Sequence, residues 1–279
     1  MEGEQIVAIK ASKLNPAKMI FLFTLKLMHL LWRVLPYLAI RYGKFTLKLP
    51  LCLFDKKLRC SLLFRPFIWS DVYAMYEEYI VGIYEGLRKI KPGDVVVDVG
   101  AYIGDFTLKA CSKVGERGKV IAFEPSPEEY NILKWNVDAS LFGNCLLYNI
   151  ACGCNKGNQT LYLSASDQHN PSSKSLVNKS GMDAHVRGTC SVVSTHRLDD
   201  ICKNAGITHV DFLKIDTEGY GLKVLKGAEG LLKSGTYIAM EIHLPAERGV
   251  SDYLSKLGYK QVVSFDSPWT GILYAFRSD

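Results

Sequence analysis

From residue 92 onward, short apolar runs alternate with amphipathic stretches. Val95-Val96-Val97 opens a β-branched run that ends at Asp98-Val99-Gly100. Lys119–Glu124, Cys145–Ile150, His209–Ile215 and Tyr237–His243 are four further runs of strand length. Helical spacing fills the gaps over Phe106–Lys113, from Pro127 to about Ala139, and from Gly219 to Leu232. Strands alternating with helices predict an α/β fold, with a parallel sheet covered on both faces. A helix, Ser251–Leu257, and two strands, Gln261–Phe265 and Ile272–Phe276, around a Ser-Pro-Trp turn end the chain.

Upstream the pattern changes. Asp71-Val72-Tyr73 caps a helical stretch that runs to about Ile90. Tyr73, Tyr76, Ile80, Ile83, Tyr84 and Leu87 fall at helical spacing within it and predict a core-facing stripe. Lys44–Leu49 and Leu58–Phe64 read as a hairpin turning around Phe54-Asp55-Lys56. Residues 19–40 have the length of a membrane span, about 20 residues. Lys26, His29 and Arg33 interrupt that run, and Pro36 would kink it. On a helix, Lys26, His29, Arg33, Tyr37, Arg41 and Lys44 form one stripe, and Phe21, Phe23, Leu27, Leu31 and Leu35 cover much of the rest. This is the pattern of a helix lying in a membrane interface. Packing on the protein's own body or a second subunit, and an uncleaved span, are the alternatives. The chain therefore divides into a basic, apolar extension over 1–65 and a globular domain over 66–279.

Composition supports that division. The 279 residues are 48% hydrophobic and 22% charged, which excludes global disorder. The net charge of +6 is unevenly spread: residues 1–65 hold 12 Lys and Arg against 3 Asp and Glu, while the remainder is net acidic. An acidic body without a basic stripe of interleaved aromatics argues against a nucleic-acid partner. The basic front is better read as an address, with a cytoplasmic location at the inner face of a membrane and peripheral contact through residues 19–44. Eight scattered cysteines include no Cys-x-x-Cys pair, so no metal site is expected and the thiols fit a reducing compartment. A Cys52–Cys60 bond across the hairpin is the pairing that the spacing leaves open.

In a sheet of this kind ligands bind where the strands end. The first strand ends in Asp98-Val99-Gly100-Ala101-Tyr102-Ile103-Gly104, whose glycines suit a tight turn and a close approach to a ligand. The spacing is not the Gly-x-Gly-x-x-Gly of a dinucleotide site, which counts against a nicotinamide-dependent oxidoreductase. The second strand ends in Glu124, a carboxylate able to accept both hydroxyls of a ribose. The third ends in Asn149-Ile150-Ala151, placed to flank an adenine. The fourth ends in Lys214-Ile215-Asp216-Thr217-Glu218, where a strand lysine needs an ionic partner. The fifth ends in Glu241-Ile242-His243, and alternation puts Glu241 and His243 on one face.

The motifs VVVDVGAYIGDFTL (95–108), VIAFEPSPEEYNILKWNV (120–137), SSKSL (172–176), STHRLDD (194–200), VDFLKIDTEGYGLKVLKGAEGLL (210–232) and MEIH (240–243) stand in an order that resembles the FkbM family of S-adenosylmethionine-dependent methyltransferases. The resemblance covers about 180 residues and leaves 1–65 outside. It implies a class I methyltransferase (Rossmann-like) fold, with a seven-stranded, mostly parallel sheet containing one antiparallel strand. It also implies S-adenosyl-L-methionine as cofactor and a hydroxyl as methyl acceptor. Carried over by position, Asp98, Gly100, Ala101, Tyr102 and Gly104 would hold the methionine part. Glu124, with Pro125 and Ser126, would hold the ribose, and Asn149 to Ala151 would border the adenine. Asp216, Glu218, Glu241 and His243 would line the acceptor side. Tyr102 stands where the family has asparagine, and Gly221 where it has glutamate. The latter change keeps open a second reading, a membrane-tethered scaffold with a degenerate methyltransferase body.

A hydroxyl acceptor must lose its proton as it is methylated. The expected base is His243, oriented by Glu241, with Asp216 placing the acceptor or a metal ion. The polar stretch 155–193, with Gln168, His169, Ser172 and Ser173, reads as a loop suited to a small-molecule acceptor such as a glycan or lipid-linked glycan.

Overall fold

The computed structural model describes residues 51–55, 60–64, 69–162, 174–176, 191–233, 235–243, 246–265 and 270–277. Strands β1 (Leu51–Asp55) and β2 (Cys60–Phe64) pair antiparallel. Helix α1 (Trp69–Met75) passes into a π-helical turn (Tyr76–Val81), ends at Gly82 with φ 68°, and is followed by a 3-10 turn (Ile83–Glu85). Then come β3 (Val95–Val99), α2 (Asp105–Val114), β4 (Lys119–Phe123), α3 (Pro127–Ala139) and β5 (Cys145–Tyr148). A second group follows: β6 (Ala151–Cys152), β7 (Gly157–Leu161), β8 (Ser191–His196) and α4 (Leu198–Asn204). The chain continues with β9 (Phe212–Ile215), α5 (Gly221–Gly227), α6 (Glu229–Leu232), β10 (Tyr237–His243), α7 (Val250–Lys256), β11 (Lys260–Phe265) and β12 (Thr270–Phe276).

The central sheet has the order β11-β12-β10-β9-β3-β4-β5. β12 runs antiparallel to β10 and β11, and the pairs from β10 to β5 are parallel. This is the seven-stranded architecture expected. The chain leaves β3 toward β5 and returns on the other side at β9, so the switch point lies between β3 and β9. Both faces are buried, which is why the strands read as unbroken apolar runs. Val97, Ile121 and Leu213 pack on one face, and Val96, Val120 and Phe212 on the other.

Four expectations change. The first hairpin strand is Leu51–Asp55, later than expected; Lys44–Leu49 lies outside the described residues, as does the helix expected over 19–40. The register sets Cys60 opposite Asp55 and Cys52 opposite Leu63, so the hairpin does not bring the two cysteines face to face; Cys60 is buried. The helix after Asp71 ends at the 3-10 turn, well before Ile90. Tyr73 and Leu87 are exposed instead of in the core, Tyr73 toward the cavity and Leu87 beyond the end of the helix. Finally, the margins of the 155–193 stretch are strands: β7 pairs antiparallel with β8, which pairs parallel with β6. Their inward side buries Leu161 and Val193, a signal too short to read against polar neighbours. Gln168, His169, Ser172 and Ser173 lie outside the described residues. Among the described residues, no helix is long and apolar enough to cross a membrane.

Candidate active site

The carboxyl ends of the parallel strands open into a cavity of about 340 Å³. Its floor is an ion network at the switch point. Asp98 on β3 and Lys214 on β9 are register partners, both buried. Lys214 Nζ lies 3.1 Å from Asp98 Oδ1, donates to the Gly100 carbonyl at 2.6 Å, and stands 3.7 Å from Asp216 Oδ2. Thr107 Oγ1 donates to the other Asp98 oxygen at 2.6 Å. Gly100 has φ 81°, and a Cβ there would fall 1.7 Å from the Asp216 carbonyl oxygen. At Gly104, φ 94°, a Cβ would meet Leu133 Cδ1 at 2.7 Å. The close approach expected toward a ligand is therefore an approach between β3's turn and the protein's own β9 turn and α3.

One end of the cavity is built around Glu124, at the end of β4. Its Oε2 accepts the Tyr102 backbone N–H at 2.9 Å and its Oε1 the Ser126 N–H at 2.8 Å. Burial pushes its carboxyl up to about 8, against the pull of those two donors. Asn149 Nδ2 donates to the Glu124 and Pro125 carbonyls, fixing the turn. Ile150, Leu161 and Leu176 supply apolar wall beside it.

The other end is acidic. Asp216 accepts the Tyr84 hydroxyl at 2.9 Å. Burial opposes its charge, but Lys214 prevails and holds its carboxyl low. Burial and the neighbouring Asp216 raise Glu241 to about 8. Burial works against the His243 imidazolium, but Glu241 and Glu218 overcome it and lift the ring to about 9. The two ring nitrogens lie 3.8 Å from Glu218 Oε2 and 3.7 Å from Glu241 Oε1. His243 Nε2 is buried without a hydrogen bond. Glu218 and Glu241 line the cavity; His243 is not among its lining residues.

Sequence reasoning missed three contributors. Glu247 is buried and ties β10 to α5, accepting the His243 backbone N–H and the Gly221 N–H at 2.7 Å each. A Cβ at position 221 would fall 2.7 Å from Glu247 Oε1, so a carboxylate does stand beside the glycine that departs from the family pattern. The second is the strap 69–85. Tyr102, at φ 51°, sends its hydroxyl to Asp71 Oδ1 at 2.5 Å and to Ser70 Oγ at 2.7 Å. Lys109 binds Glu78 at 2.5 Å and Glu85 at 3.0 Å, so the strap lies over the cavity pinned at both ends. The third is Lys174, which bonds Ser126 Oγ at 2.9 Å and Glu129 at 2.6 Å, while Ser175 Oγ donates to the Glu218 carbonyl at 2.7 Å. Tyr102 and Glu218 are two of the three non-glycine residues with left-handed φ among the described residues, and both line the cavity. Such strain collects where the surrounding structure over-determines a site.

Of the expected cofactor residues, Gly100, Tyr102, Glu124, Pro125 and Ala151 line the cavity. Asp98, Ala101, Gly104, Ser126 and Asn149 stand behind that wall and shape it. The donor set fits S-adenosylmethionine: a carboxylate for two ribose hydroxyls, apolar walls for a flat purine, and acidic groups, Asp105 and Asp216 among them, to favour a sulfonium. Asp216, Glu241 and His243 offer ligand atoms within 4.8 Å of one another, the spacing a cation would need. Asp216 Oδ2 is already engaged by Tyr84 and Lys214, so no metal role is assigned to the three.

Residues 98–260 match the family model described as the methyltransferase FkbM domain. The methyltransferase sdnD of Sordaria araneosa is 28% identical over 184 residues, covering 57% of this chain and 70% of that protein. The hexuronic acid methyltransferase AglP of Haloferax volcanii is 25% identical over 157 residues, 56% of this chain and 59% of that protein. Among solved structures, a methyltransferase FkbM from Methylobacillus flagellatus matches with a TM-score of 0.48 at 17% identity, over 75% of this chain and 54% of that one.

Proposed function

The chain belongs to the FkbM methyltransferase family and takes S-adenosylmethionine as methyl donor; from that premise we propose that it methylates a hydroxyl of a glycan, glycolipid or other polyhydroxy small molecule. The observation that carries this reading is the pairing, in one cavity, of the Glu124 carboxyl at one end with the Asp216 and Glu241 carboxyls, backed by His243, at the other. The cofactor, when bound, supplies an electrophilic methyl group on a cationic sulfur. The chain supplies the rest. Glu124 and the Gly100–Tyr102 turn hold the donor, and the strap and Lys174–Leu176 exclude water. Alignment of the two reacting atoms within this closed space is worth more than any single contact.

The acceptor's proton goes to the Glu241–His243 pair. Glu241 is the member on the cavity wall, so it accepts the proton directly, and the His243 ring beside it holds positive charge that stabilises the carboxylate form. This exchanges the order expected from sequence, where His243 met the acceptor first. An acid poised near neutral pH is well matched to general-base work. A relative named for hexuronic acid supports a sugar-like acceptor.

The test is transfer itself. The full chain is incubated with methyl-labelled S-adenosylmethionine and extracts divided into lipid, glycan and protein fractions. Label in the glycan or glycolipid fraction is expected. Label confined to protein would defeat the reading. We propose also that residues 1–65 bring the enzyme to an anionic membrane surface, on the strength of their charge. Equal flotation of the full chain and of a chain beginning near Asp71 with anionic vesicles would remove that part.

A further inference from the structure

Among the cavity carboxyls to which the proposed mechanism gives no role is Glu77. Glu77 sits on the π-helical turn of the strap, outside the segment matched to the family. Two consecutive glutamates of the turn line the cavity: Glu78 is pinned to Lys109, while Glu77 stands toward the acceptor-end acids. Tyr73, one turn earlier on the strap, is its hydrogen-bond partner, and the carboxyls of Glu241, Asp216 and Asp105 are its electrostatic neighbours. The turn thus spends Glu78 on anchoring and leaves Glu77, the residue before it, at the acceptor end; π turns are frequent at functional sites.

The charges around it decide what can enter. Two lysines, Lys174 and Lys214, are the Lys and Arg residues among the described residues lining the cavity, and both are committed. Lys174 is held by Glu129 and Ser126, and Lys214 by Asp98, Asp216 and the Gly100 carbonyl. Among the described residues, a carboxylate or phosphate on the acceptor would find no uncommitted ammonium in the cavity wall. It would instead face Glu77, Asp216, Glu218 and Glu241. The protein's own acids already report this environment: burial, with Asp216 adding to it, raises Glu77 and Glu241 to about 8.

We propose that Glu77 is an acceptor-binding residue, and that the cavity end it completes takes an uncharged or cationic polyhydroxy acceptor and rejects an anionic one, which separates this chain from the relative named for hexuronic acid, an anionic sugar. The inference rests on the transfer reading above. Glu77 hydrogen-bonds a hydroxyl next to the one methylated, from the strap side, opposite Glu241.

The experiment incubates the full chain with methyl-labelled S-adenosylmethionine and a small-molecule extract resolved by ion exchange into anionic, neutral and cationic pools. Label is expected in the neutral or cationic pool. With the labelled acceptor, Glu77→Lys is expected to lower kcat/KM at least tenfold, mainly through KM. The Kd for S-adenosylhomocysteine should stay within twofold, which also shows that the variant folds. Glu77→Gln, which keeps a hydrogen-bonding group, is expected to stay within threefold of wild type. Label in the anionic pool, or a Glu77→Lys variant with unchanged KM, overturns the proposal while leaving methyl transfer intact. No label in any pool removes the transfer reading and this inference with it.

Discussion

Lys214 and Asp98 are partners twice over: they are opposite residues in the parallel ladder of β9 and β3, and their charges lie 3.1 Å apart in the core. A lysine in a buried strand demands such a partner, and this one locks the two strands at the switch point where the cavity begins. Removing one charge from a buried pair leaves the other uncompensated, at a cost of about 3–5 kcal/mol. Lys214→Met is therefore expected to lower the unfolding free energy by that order in urea titration. Asp98→Asn with Lys214→Met together should cost less than the two single changes added. Strict additivity would show that the pair is not coupled.

In the proposed function Glu124 carries the donor end. Glu124→Ala removes the acceptor of two backbone N–H groups and, on that proposal, of the ribose hydroxyls, and charge-assisted hydrogen bonds are worth about 1.5–3 kcal/mol. Affinity for S-adenosylhomocysteine should fall by roughly ten- to a hundredfold on that scale, measured by calorimetry. The wild-type carboxyl, held up to about 8 by burial, should ionise when it gains hydroxyl donors. Binding at pH 7 should then release protons, seen as a heat that varies with the ionisation enthalpy of the buffer. A buffer-independent heat would contradict that assignment.

Glu247 is a positioning residue whose two backbone contacts hold the acceptor strand against α5. Leaving two buried N–H groups unmet costs about 1–3 kcal/mol each. Glu247→Ala should lower Tm and also raise the acceptor KM. Glu247→Gln, which retains one carbonyl oxygen, should recover part of both. Recovery of Tm alone would mark the residue as structural only.

Stability should depend on pH with a definite sign. Glu77 and Glu124 are raised from the ordinary carboxylate range to about 8, so the folded chain holds more protons than the unfolded one between about 4.5 and 8. Stability from these groups is lost as pH rises through that window. His243 adds in the same direction: raised to about 9, its contribution is complete below about 6.5 and lost through 9. Glu85 opposes at the acid end. Burial alone would raise it, but Lys113 and the Ile90 N–H hold it near 2, so its contribution is lost as pH falls toward that value. Tm should therefore be higher at pH 6 than at pH 9. A higher Tm at pH 9 would contradict these assignments.

The fold was legible because both sheet faces are buried, so Val95–Val99 and Tyr237–His243 stand out as continuous apolar runs, the latter with its ends placed correctly. The strand-end carboxyls Glu124, Asp216 and Glu241 were legible because this architecture puts chemistry at those ends. The strap was not, because its register depends on a π turn that no helical period announces. Tyr73, which spacing assigned to the core, is instead exposed on the cavity side. Glu247 was hidden for another reason. Its place in the site comes from a contact 26 residues away in sequence, with Gly221, and an isolated loop glutamate carries no local signal of that.

If Glu241, backed by His243, takes a hydroxyl proton during methyl transfer, the reaction must titrate with this pair. The most direct measurement is single-turnover transfer from saturating ¹³C-methyl S-adenosylmethionine, across pH, for wild type and Glu241→Gln, with the product read by NMR. The pair should titrate together, so the wild-type rate is expected to rise with pH toward about 8 and to decline above about 9. The label should appear as an O-methyl group, and Glu241→Gln should be slower by roughly a hundredfold or more, the lower range for a positioned base. An N- or C-methyl product, or a Glu241→Gln rate equal to wild type, would contradict the account.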